Sequence, residues 1–264
     1  MTADPKQLER VRERFTRTAQ QFAAFSLATR SAEAEKLAEL AAPRGDERAL
    51  DLACGPGTFT RAFARRVRSI VGLDLTPPLM QQGRAAAAAE GSVSVAWGCG
   101  NAAALPFAEG AFDLATCGYS LHHFGEPAEA LAEVARVLRA GGRLALMDLI
   151  VPGEVLSAAG AANNEIEIAR DASHETTFFA AELRARVEAA GLRVAAEQTD
   201  TRTRSFSDWM RIAGWEPGDA AYASTRALME KYMPDDASRF HARPLPDGDI
   251  EFVQTSLLLV AEKR

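Results

Sequence analysis

The sequence predicts an α/β fold in which a Rossmann-like, mainly parallel sheet is wound with helices on both faces. Between residues 48 and 150, short apolar runs alternate with amphipathic segments, and five β-α units fit this length. Runs of this kind are typical of parallel strands that are buried on both faces. With 264 residues and 47% hydrophobic composition, the chain can bury one substantial core. We therefore expect a single domain over residues 1–264.

The predicted elements begin with two helices in residues 5–41, where apolar residues recur at helical spacing before the breaker PRGD. Gly141 and Gly142 are expected to end the last core helix and to turn the chain into the fifth strand. The five predicted core strands are 48–53, 69–74, 93–97, 112–118 and 143–150, and the helices between them lie near 57–66, 77–89 and 126–139.

After Ile150 the alternation stops, and the polar segment 152–176 is expected to cover a site. The elements predicted beyond it are a helix at 178–190, a sixth strand at 192–199, helices at 206–214 and 220–232, and a long final strand at 249–263. The expected organisation is a helical cap (1–44), a cofactor-binding core (45–150), a lid and substrate region that contains the sixth strand (151–248) and the last strand (249–264).

Charge and cysteine usage exclude several classes of protein. A net charge of -6 gives no general attraction to phosphate backbones, so we expect a small-molecule substrate and no nucleic acid. The three cysteines form no CxxC pair, which indicates neither a disulfide framework nor a metal site. A charged beginning and the lack of any run of roughly 20 apolar residues predict no signal peptide, no membrane span and a cytoplasmic location.

The stretch ALDLACGPGTFT carries an acidic residue, Asp51, ahead of the two glycines Gly55 and Gly57. Glycines at this turn let the backbone run close to a ligand, and the following helix can receive an anion such as a carboxylate. A dinucleotide fingerprint would have a third glycine where this chain has Thr60. Because Asp51 would repel a pyrophosphate but attract an ammonium group, the pattern favours a ligand with both an ammonium and a carboxylate.

The next strand ends supply the remaining groups for an amino-acid nucleoside. Asp74 ends the second strand, where a carboxylate can accept both ribose hydroxyls, and Leu75 can lie against adenine. After the third strand, Asn101 is a candidate acceptor for the adenine amino group, and the Ala102 amide is a candidate donor to a ring nitrogen. Asp51 and Asp74 could each instead be a capping or turn carboxylate.

Four motifs in order resemble the class I S-adenosylmethionine-dependent methyltransferases, close to the ubiquinone/menaquinone-biosynthesis type that acts on small molecules. They read LDLACGPGTFT, VGLDLTPPLM, GNAAALPFAEGAFDLATCGYSLHHF and EVARVLRAGGRLALMDL. The resemblance implies a seven-stranded sheet with an antiparallel last strand, and S-adenosylmethionine as cofactor. Asn101 stands where the family often has aspartate, so its contact to the adenine amino group would be neutral and weaker.

Histidines are the candidate bases, although each also has an ordinary interpretation as a packed or solvent-facing residue. Of His122, His123, His174 and His241, His123 is best placed, at the end of the fourth strand beside the methyl donor. His174 is next, because it lies in the segment expected to roof the pocket. Four phenylalanines, Phe15, Phe22, Phe178 and Phe179, are candidates to close over the cofactor and a flat substrate, although buried aromatics are more often core residues.

The leading hypothesis is methyl transfer to an oxygen or carbon of a small, mostly apolar acceptor. An enzyme that binds the same cofactor but catalyses a rearrangement or decarboxylation would carry identical cofactor motifs. A third alternative is a nicotinamide-dependent oxidoreductase, which Thr60 and Asp51 disfavour, or a nucleotide-sensing module, which the roofing segment with its histidines disfavours. The sequence leaves a homodimer open.

Overall fold

A computed structural model describes residues 4–91, 95–125 and 127–264. Its sheet has the strand order β3-β2-β1-β4-β5-β9-β7. The seven strands on this path are β1 (Arg48–Leu52), β2 (Ser69–Asp74), β3 (Val95–Cys99), β4 (Phe112–Gly118), β5 (Leu138–Val151), β7 (Leu192–Ser205) and β9 (Ile250–Lys263). Two short strands, β6 (Phe178–Phe179) and β8 (Arg243–Pro244), pair with β5 and β9.

The first five strands pair in parallel, whereas β9 runs antiparallel to both of its neighbours, β5 and β7. The seven-stranded path and its antiparallel last strand confirm the predicted fold class. The helices are α1 (Pro5–Arg17), α2 (Ala19–Thr29), α3 (Ser31–Ala41), α4 (Thr58–Ala64), α5 (Pro77–Ala89), α6 (Pro127–Val137), α7 (Ser157–Arg170), α8 (Ala180–Ala189), α9 (Phe206–Ile212) and α10 (Ala220–Tyr232).

Two apolar layers cover the two faces of the sheet. Leu257 and Leu259 of β9 join one cluster, and Leu258 and Val260 join the other, as the two-residue period of a strand requires. The first cluster includes residues of α6 and α8, and the second includes residues of α3 and α4. Each fully buried Leu or Val contributes about 1.5–3 kcal/mol of transfer free energy, so this double layer is what holds the strand ends in fixed positions.

Several boundaries differ from the sequence predictions. The segment 5–41 forms three helices, because the chain leaves helical geometry at Thr18 and again at Arg30. β7 continues to Ser205, well beyond the predicted end, since it pairs with β9 over its whole length. The exposed polar residues of β7 are typical of a loop, although an edge strand also tolerates them. Residues 93–94 of the predicted third strand and residue 126 of a predicted helix lie outside the described residues.

The N-terminal helix α1 and the segment that follows α7 meet above the carboxyl ends of the strands. Gln7 Nε2 donates hydrogen bonds to the carbonyl oxygens of His123 and Ser173, each at 2.8 Å. Arg14 of α1 forms a buried ion pair with Asp171, with 2.9 Å between Nε and Oδ2. These contacts make α1 a roof over the sheet edge. No helix in the described ranges has the length and apolar character needed to cross a membrane.

Candidate active site

A cavity, here called the cofactor cavity, lies at the carboxyl ends of β1, β2, β3 and β4, beneath α1 and α2. Five of the predicted cofactor residues line it: Gly55, Asp74, Leu75, Asn101 and Ala102. They come from three different turns that parallel strands bring to one edge of the sheet.

Asp74 is held in place by backbone amides. The Gly55 amide donates to Oδ2 at 2.8 Å, and the Thr76 amide donates to Oδ1 at 2.7 Å. Burial raises the pKa of Asp74, and these amide donors oppose that rise. Since each carboxylate oxygen can accept more than one hydrogen bond, Asp74 keeps acceptor capacity for a pair of neighbouring hydroxyls.

Asn101 begins the turn after β3. Its Oδ1 accepts a hydrogen bond from the Ala103 amide at 3.0 Å, and its carbonyl oxygen accepts one from the Ala104 amide at 3.1 Å. These bonds fix the turn so that Asn101, Ala102 and Ala103 all line the cavity. Oδ1 keeps a second lone pair for the adenine contact expected from the sequence.

Asp51 and Gly57 do not line the cavity. Asp51 is buried and accepts a hydrogen bond from Thr60 Oγ1 at 2.5 Å. Burial raises its pKa to about 7, and the Thr60 hydrogen bonds oppose the rise. The expected Asp51 contact with an ammonium group stays a prediction.

Gly57 precedes α4 with a φ of 76°, and a Cβ built on it would lie 2.4 Å from Trp97 Cη2. Its missing side chain therefore makes room for Trp97. The Thr60 hydroxyl bound to Asp51 explains why this chain has threonine where a dinucleotide fold has glycine.

A second cavity, here called the basic pocket, adjoins the cofactor cavity. The two share five wall residues: Phe15, Phe22, Arg30, Tyr119 and His123. The basic pocket is also lined by three further arginines, Arg14, Arg170 and Arg204, and by two carboxylates, Glu167 and Asp171. A ligand in one cavity can therefore face a ligand in the other.

His122 lies on the wall of the basic pocket and pairs with Asp148 of β5. Its Nδ1 is 2.5 Å from Asp148 Oδ1, and its amide donates to Oδ2 at 3.3 Å. Burial alone would lower the pKa of His122, but Asp148 outweighs burial and the net pKa is raised. The pKa of Asp148 is lowered, because His122 outweighs the effect of burial. This arrangement is a buried, hydrogen-bonded histidine–carboxylate pair.

His123 lies on the shared wall of the two cavities, and its expected place beside the methyl donor stays a prediction. Its Nδ1 donates to the Ser173 carbonyl oxygen at 3.0 Å, and its ring packs edge-on against Phe15 at 5.1 Å. Burial and the neighbouring His122 lower its pKa to about 3, so His123 is neutral near pH 7.

His174 lines the basic pocket but not the cofactor cavity. Asn164 Oδ1 accepts from the Thr177 amide at 2.7 Å, which marks this atom as the oxygen and makes His174 Nε2, at 2.9 Å, a donor to it. Burial, with His122 and His123 nearby, lowers the pKa of His174 well below its usual value. His241 lines neither cavity and pairs with Asp236.

Comparison with known proteins identifies the family. The methyltransferase domain family matches residues 50–146, which contain the turns after β1, β2, β3 and β4. The uncharacterized methyltransferase YcgJ of Bacillus subtilis is 30% identical over 171 residues, which cover 65% of this chain and 67% of that protein. The chain belongs to the class I S-adenosylmethionine-dependent methyltransferases.

Solved structures agree with this assignment. The crystal structure of Bacillus subtilis YcgJ superposes on the methyltransferase with a TM-score of 0.79 and 27% identity, over 88% of this chain and 99% of that one. The ubiquinone/menaquinone biosynthesis C-methyltransferase UbiE of Ruegeria is 40% identical over 111 residues, 40% of this chain and 44% of that protein. The [4+2]-cyclase SpnF shares the fold, with a TM-score of 0.64 and 22% identity over 88% of this chain and 81% of that one.

The cofactor cavity of the methyltransferase suits S-adenosylmethionine. Asp74 offers carboxylate oxygens of the kind that ribose hydroxyls need, and the apolar side chains of Leu75 and Leu79 also line the cavity. Their contacts with ribose and adenine stay predictions. Gly55 has a φ of 53° and no side chain, so its backbone can approach a ligand closely. The residues present therefore fit an amino-acid nucleoside.

Sequence reasoning missed several residues of the methyltransferase site. Arg30 and Arg204 are 174 positions apart and lie outside the four motifs. Tyr119 is distinguished by its positive φ of 55°, which the sequence does not reveal. The pairing of His122 with Asp148 joins two of the recognised motifs. In the sequence, the signal for this pair was an acidic residue, Asp148, near the end of the predicted fifth strand.

Proposed function

We propose that the methyltransferase transfers the methyl group to an oxygen or carbon of a small acceptor that binds in the basic pocket. The observation that carries this proposal is the shared wall between the two cavities. Three of its five residues, Phe15, Phe22 and Tyr119, are aromatic, which suits an acceptor with a mostly apolar body.

Alignment is the main demand that this reaction makes on the protein. When bound, the cofactor supplies an electrophilic methyl group on a sulfonium sulfur. Asp74 and the turn at Asn101 would hold the nucleoside, and the shared wall would orient the acceptor toward it. Holding two reactants in line can remove about 7–11 kcal/mol of the barrier, so positioning alone accounts for a large part of the expected rate.

A base is needed where the acceptor is a phenol or an acidic carbon. His123 and His174 stay candidates, although both are buried, neutral and weakly basic. We place His122 before them, because Asp148 holds its Nδ1 and raises its pKa, which leaves Nε2 for the acceptor proton. Proton removal by such a residue typically contributes about 10²- to 10⁴-fold in rate.

The relatives support an acceptor of this kind but do not define it. UbiE is named for C-methylation in ubiquinone and menaquinone biosynthesis, and its similarity covers 40% of this chain. The fold shared with the [4+2]-cyclase SpnF supports one alternative, a reaction that binds the cofactor without using its methyl group.

A labelled methyl donor distinguishes methyl transfer from a reaction that does not use the methyl group. We would incubate the protein with S-adenosylmethionine labelled at the methyl group and a panel of quinols, phenols and enols, and analyse the products by mass spectrometry. Label in a product, with release of S-adenosylhomocysteine, supports the proposal. A product without label, formed while the cofactor stays intact, would support the alternative and contradict methyl transfer.

The location and the assembly of the protein also stay proposals. The cytoplasm is proposed from composition, and cell fractionation with an antibody would test it. A homodimer is the assembly we propose to test first, and light scattering of the purified protein measures it directly. A monomer mass at micromolar concentration would contradict the dimer.

A further inference from the structure

The basic pocket has more positive than negative side chains on its wall. Four arginines line it against two carboxylates, Glu167 and Asp171. Both carboxylates are already engaged: Asp171 with Arg14 at 2.9 Å, and Glu167 with Arg170 at 3.7 Å. Among the described residues, Arg30 and Arg204 have no carboxylate oxygen within 4.0 Å.

The two unpaired arginines converge on one aromatic ring. The guanidinium carbons of Arg30 and Arg204 lie 5.4 and 5.1 Å from the centre of the Phe25 ring. Arg30 also lies over Tyr119, at 4.2 Å, and its buried Nε has no hydrogen-bond partner. Arg204 Nε donates only to a neutral oxygen, Gln254 Oε1, at 2.9 Å.

Nearby acids compensate this pair of arginines only in part, because Glu33 and Asp148 have other cations as their ion-pair partners. Glu33 accepts a hydrogen bond from Arg202 at 3.2 Å, and Asp148 pairs with His122. Burial, followed by Arg30 and Arg202, lowers the pKa of Arg204 to about 9, as expected for cations that repel one another. Because a partly buried cation without an ion-pair partner is costly, an anion beside both guanidinium groups would stabilise this arrangement.

The chemistry of guanidinium defines the ligand. Its planar fork of N–H donors matches the oxygens of a carboxylate or a phosphate, and it binds them more strongly than neutral acceptors. Aromatic side chains also line the wall, among them Phe15, Phe22, Phe25 and Trp209. The pocket thus combines an anion site with a surface for an apolar body.

We propose that the acceptor is an aromatic or otherwise apolar acid, whose carboxylate or phosphate group binds between Arg30 and Arg204. This inference rests on the proposed function, since it concerns the acceptor of the same reaction. The oxyanion fixes one end of the acceptor, and the atom to be methylated faces the shared wall with the cofactor cavity.

Binding measurements with simple probes test the proposal. Protein saturated with S-adenosylhomocysteine is titrated in a calorimeter with benzoate, phenyl phosphate and benzyl alcohol, which share a ring and differ in charge. We expect at least one acid to bind about tenfold to a hundredfold more tightly than the alcohol. The stronger of the two acids tells whether a carboxylate or a phosphate is preferred. Equal affinity for the alcohol and both acids would overturn the inference.

Two substitutions assign the effect to the pocket. Arg204→Gln should remove most of the preference for the acid and leave alcohol binding unchanged, whereas Arg193→Gln is the matched control, since Arg193 lies on the same strand, pairs with Glu262 and does not line the pocket. If Arg204→Gln unfolds, Arg204→Lys keeps a charge without the fork and should weaken acid binding about three- to tenfold. An unchanged preference in the folded Arg204 variant would contradict the proposal.

The same titration separates this inference from the proposed function. Arg204 does not line the cofactor cavity, so S-adenosylhomocysteine should bind equally well to the wild type and to both variants. If a variant loses the preference for the acid but binds S-adenosylhomocysteine as well as the wild type does, the result concerns only the acceptor site. Failure of the wild type to bind the nucleoside would instead contradict the proposed function.

Discussion

His122 Nδ1 lies 2.5 Å from Asp148 Oδ1, and His122 lines the basic pocket. The turn after β4 and the neighbouring strand β5 bring these residues together, since β4 pairs with β5 in parallel. Asp148 fixes the orientation of the imidazole and raises its pKa, which is what a base needs when it must accept a proton and hold it.

Replacing His122 should therefore lower turnover more than binding. We expect His122→Asn to reduce kcat by about 10²- to 10⁴-fold with an acceptor identified by the labelled panel, and to change cofactor affinity little. Asp148→Asn should move the acidic limb of the pH profile to lower pH, because the imidazole loses the charge that raises its pKa. His123→Asn and His174→Asn are the comparison variants. A larger loss of kcat in either of them would move the base there.

Removing the Asp74 carboxylate should weaken cofactor binding. Asp74→Ala deletes the acceptor for the ribose hydroxyls and leaves the Gly55 and Thr76 amides without partners, so we expect about a tenfold to hundredfold rise in Kd. Titration with S-adenosylhomocysteine measures it. Asp200→Ala, which removes an acid paired with Lys36 outside the cavity, is the control. Equal affinity of the two variants would place the ribose contact elsewhere.

The low pKa of His123 predicts a loss of stability in acid. The pKa of its folded form is about 3, below the ordinary 6.5, so the unfolded chain takes up a proton first as the pH falls below 6.5. The stability contributed by neutral His123 is present above pH 6.5 and falls by about 1.4 kcal/mol per pH unit below it. The lowered pKa of His174 likewise makes the folded protein less stable as the pH falls.

Asp51 has the opposite effect on stability. Its folded pKa is about 7, above the ordinary value, so the folded protein binds a proton more readily than the unfolded chain and gains stability as the pH drops. The test is therefore a difference between variants. Urea unfolding of the wild type and of His123→Phe between pH 7 and 5 should show a shallower acid slope for the variant. Parallel slopes would mean that His123 takes up its proton in the folded state.

Gly57 should be far less tolerant of a side chain than Gly45, although both have a positive φ. An alanine Cβ at Gly57 would lie 2.4 Å from Trp97 Cη2, whereas nothing lies within 4 Å at Gly45. Left-handed geometry costs about 1–2 kcal/mol at either site, and the clash adds about 1–3 kcal/mol only at Gly57. Thermal unfolding of Gly57→Ala and Gly45→Ala measures the difference. Trp97→Val should relieve the first variant, and equal melting temperatures of the two variants would exclude the clash.

The fold follows from local pattern to a large extent. Strands such as Ser69–Asp74 were predicted at their observed bounds, because buried apolar runs between helices leave few alternatives. The end of β7 was not predicted, since Thr201–Ser205 is polar and becomes a strand only by pairing with β9. The extra break at Arg30 in the N-terminal helices likewise has no local signal, because neither Gly nor Pro marks it.

Some residues of the site could likewise be predicted from local pattern, and others could not. Cofactor residues that follow consecutive strands, such as Asp74 and Asn101, could be placed from their spacing, because strand order brings them to one edge. Arg30 and Arg204 could not, since only packing against Phe25 brings them together. His122 and His123 are adjacent in one turn, so sequence alone cannot tell which of them meets Asp148.

The roof formed by α1 links the occupancy of the two cavities. Its residues Gln7 and Phe15 line the cofactor cavity, Phe15 also lines the basic pocket, and the helix is fastened by Gln7 and by the Arg14–Asp171 pair. One helix therefore borders both cavities, and its displacement would expose the donor and acceptor sites to solvent at the same time.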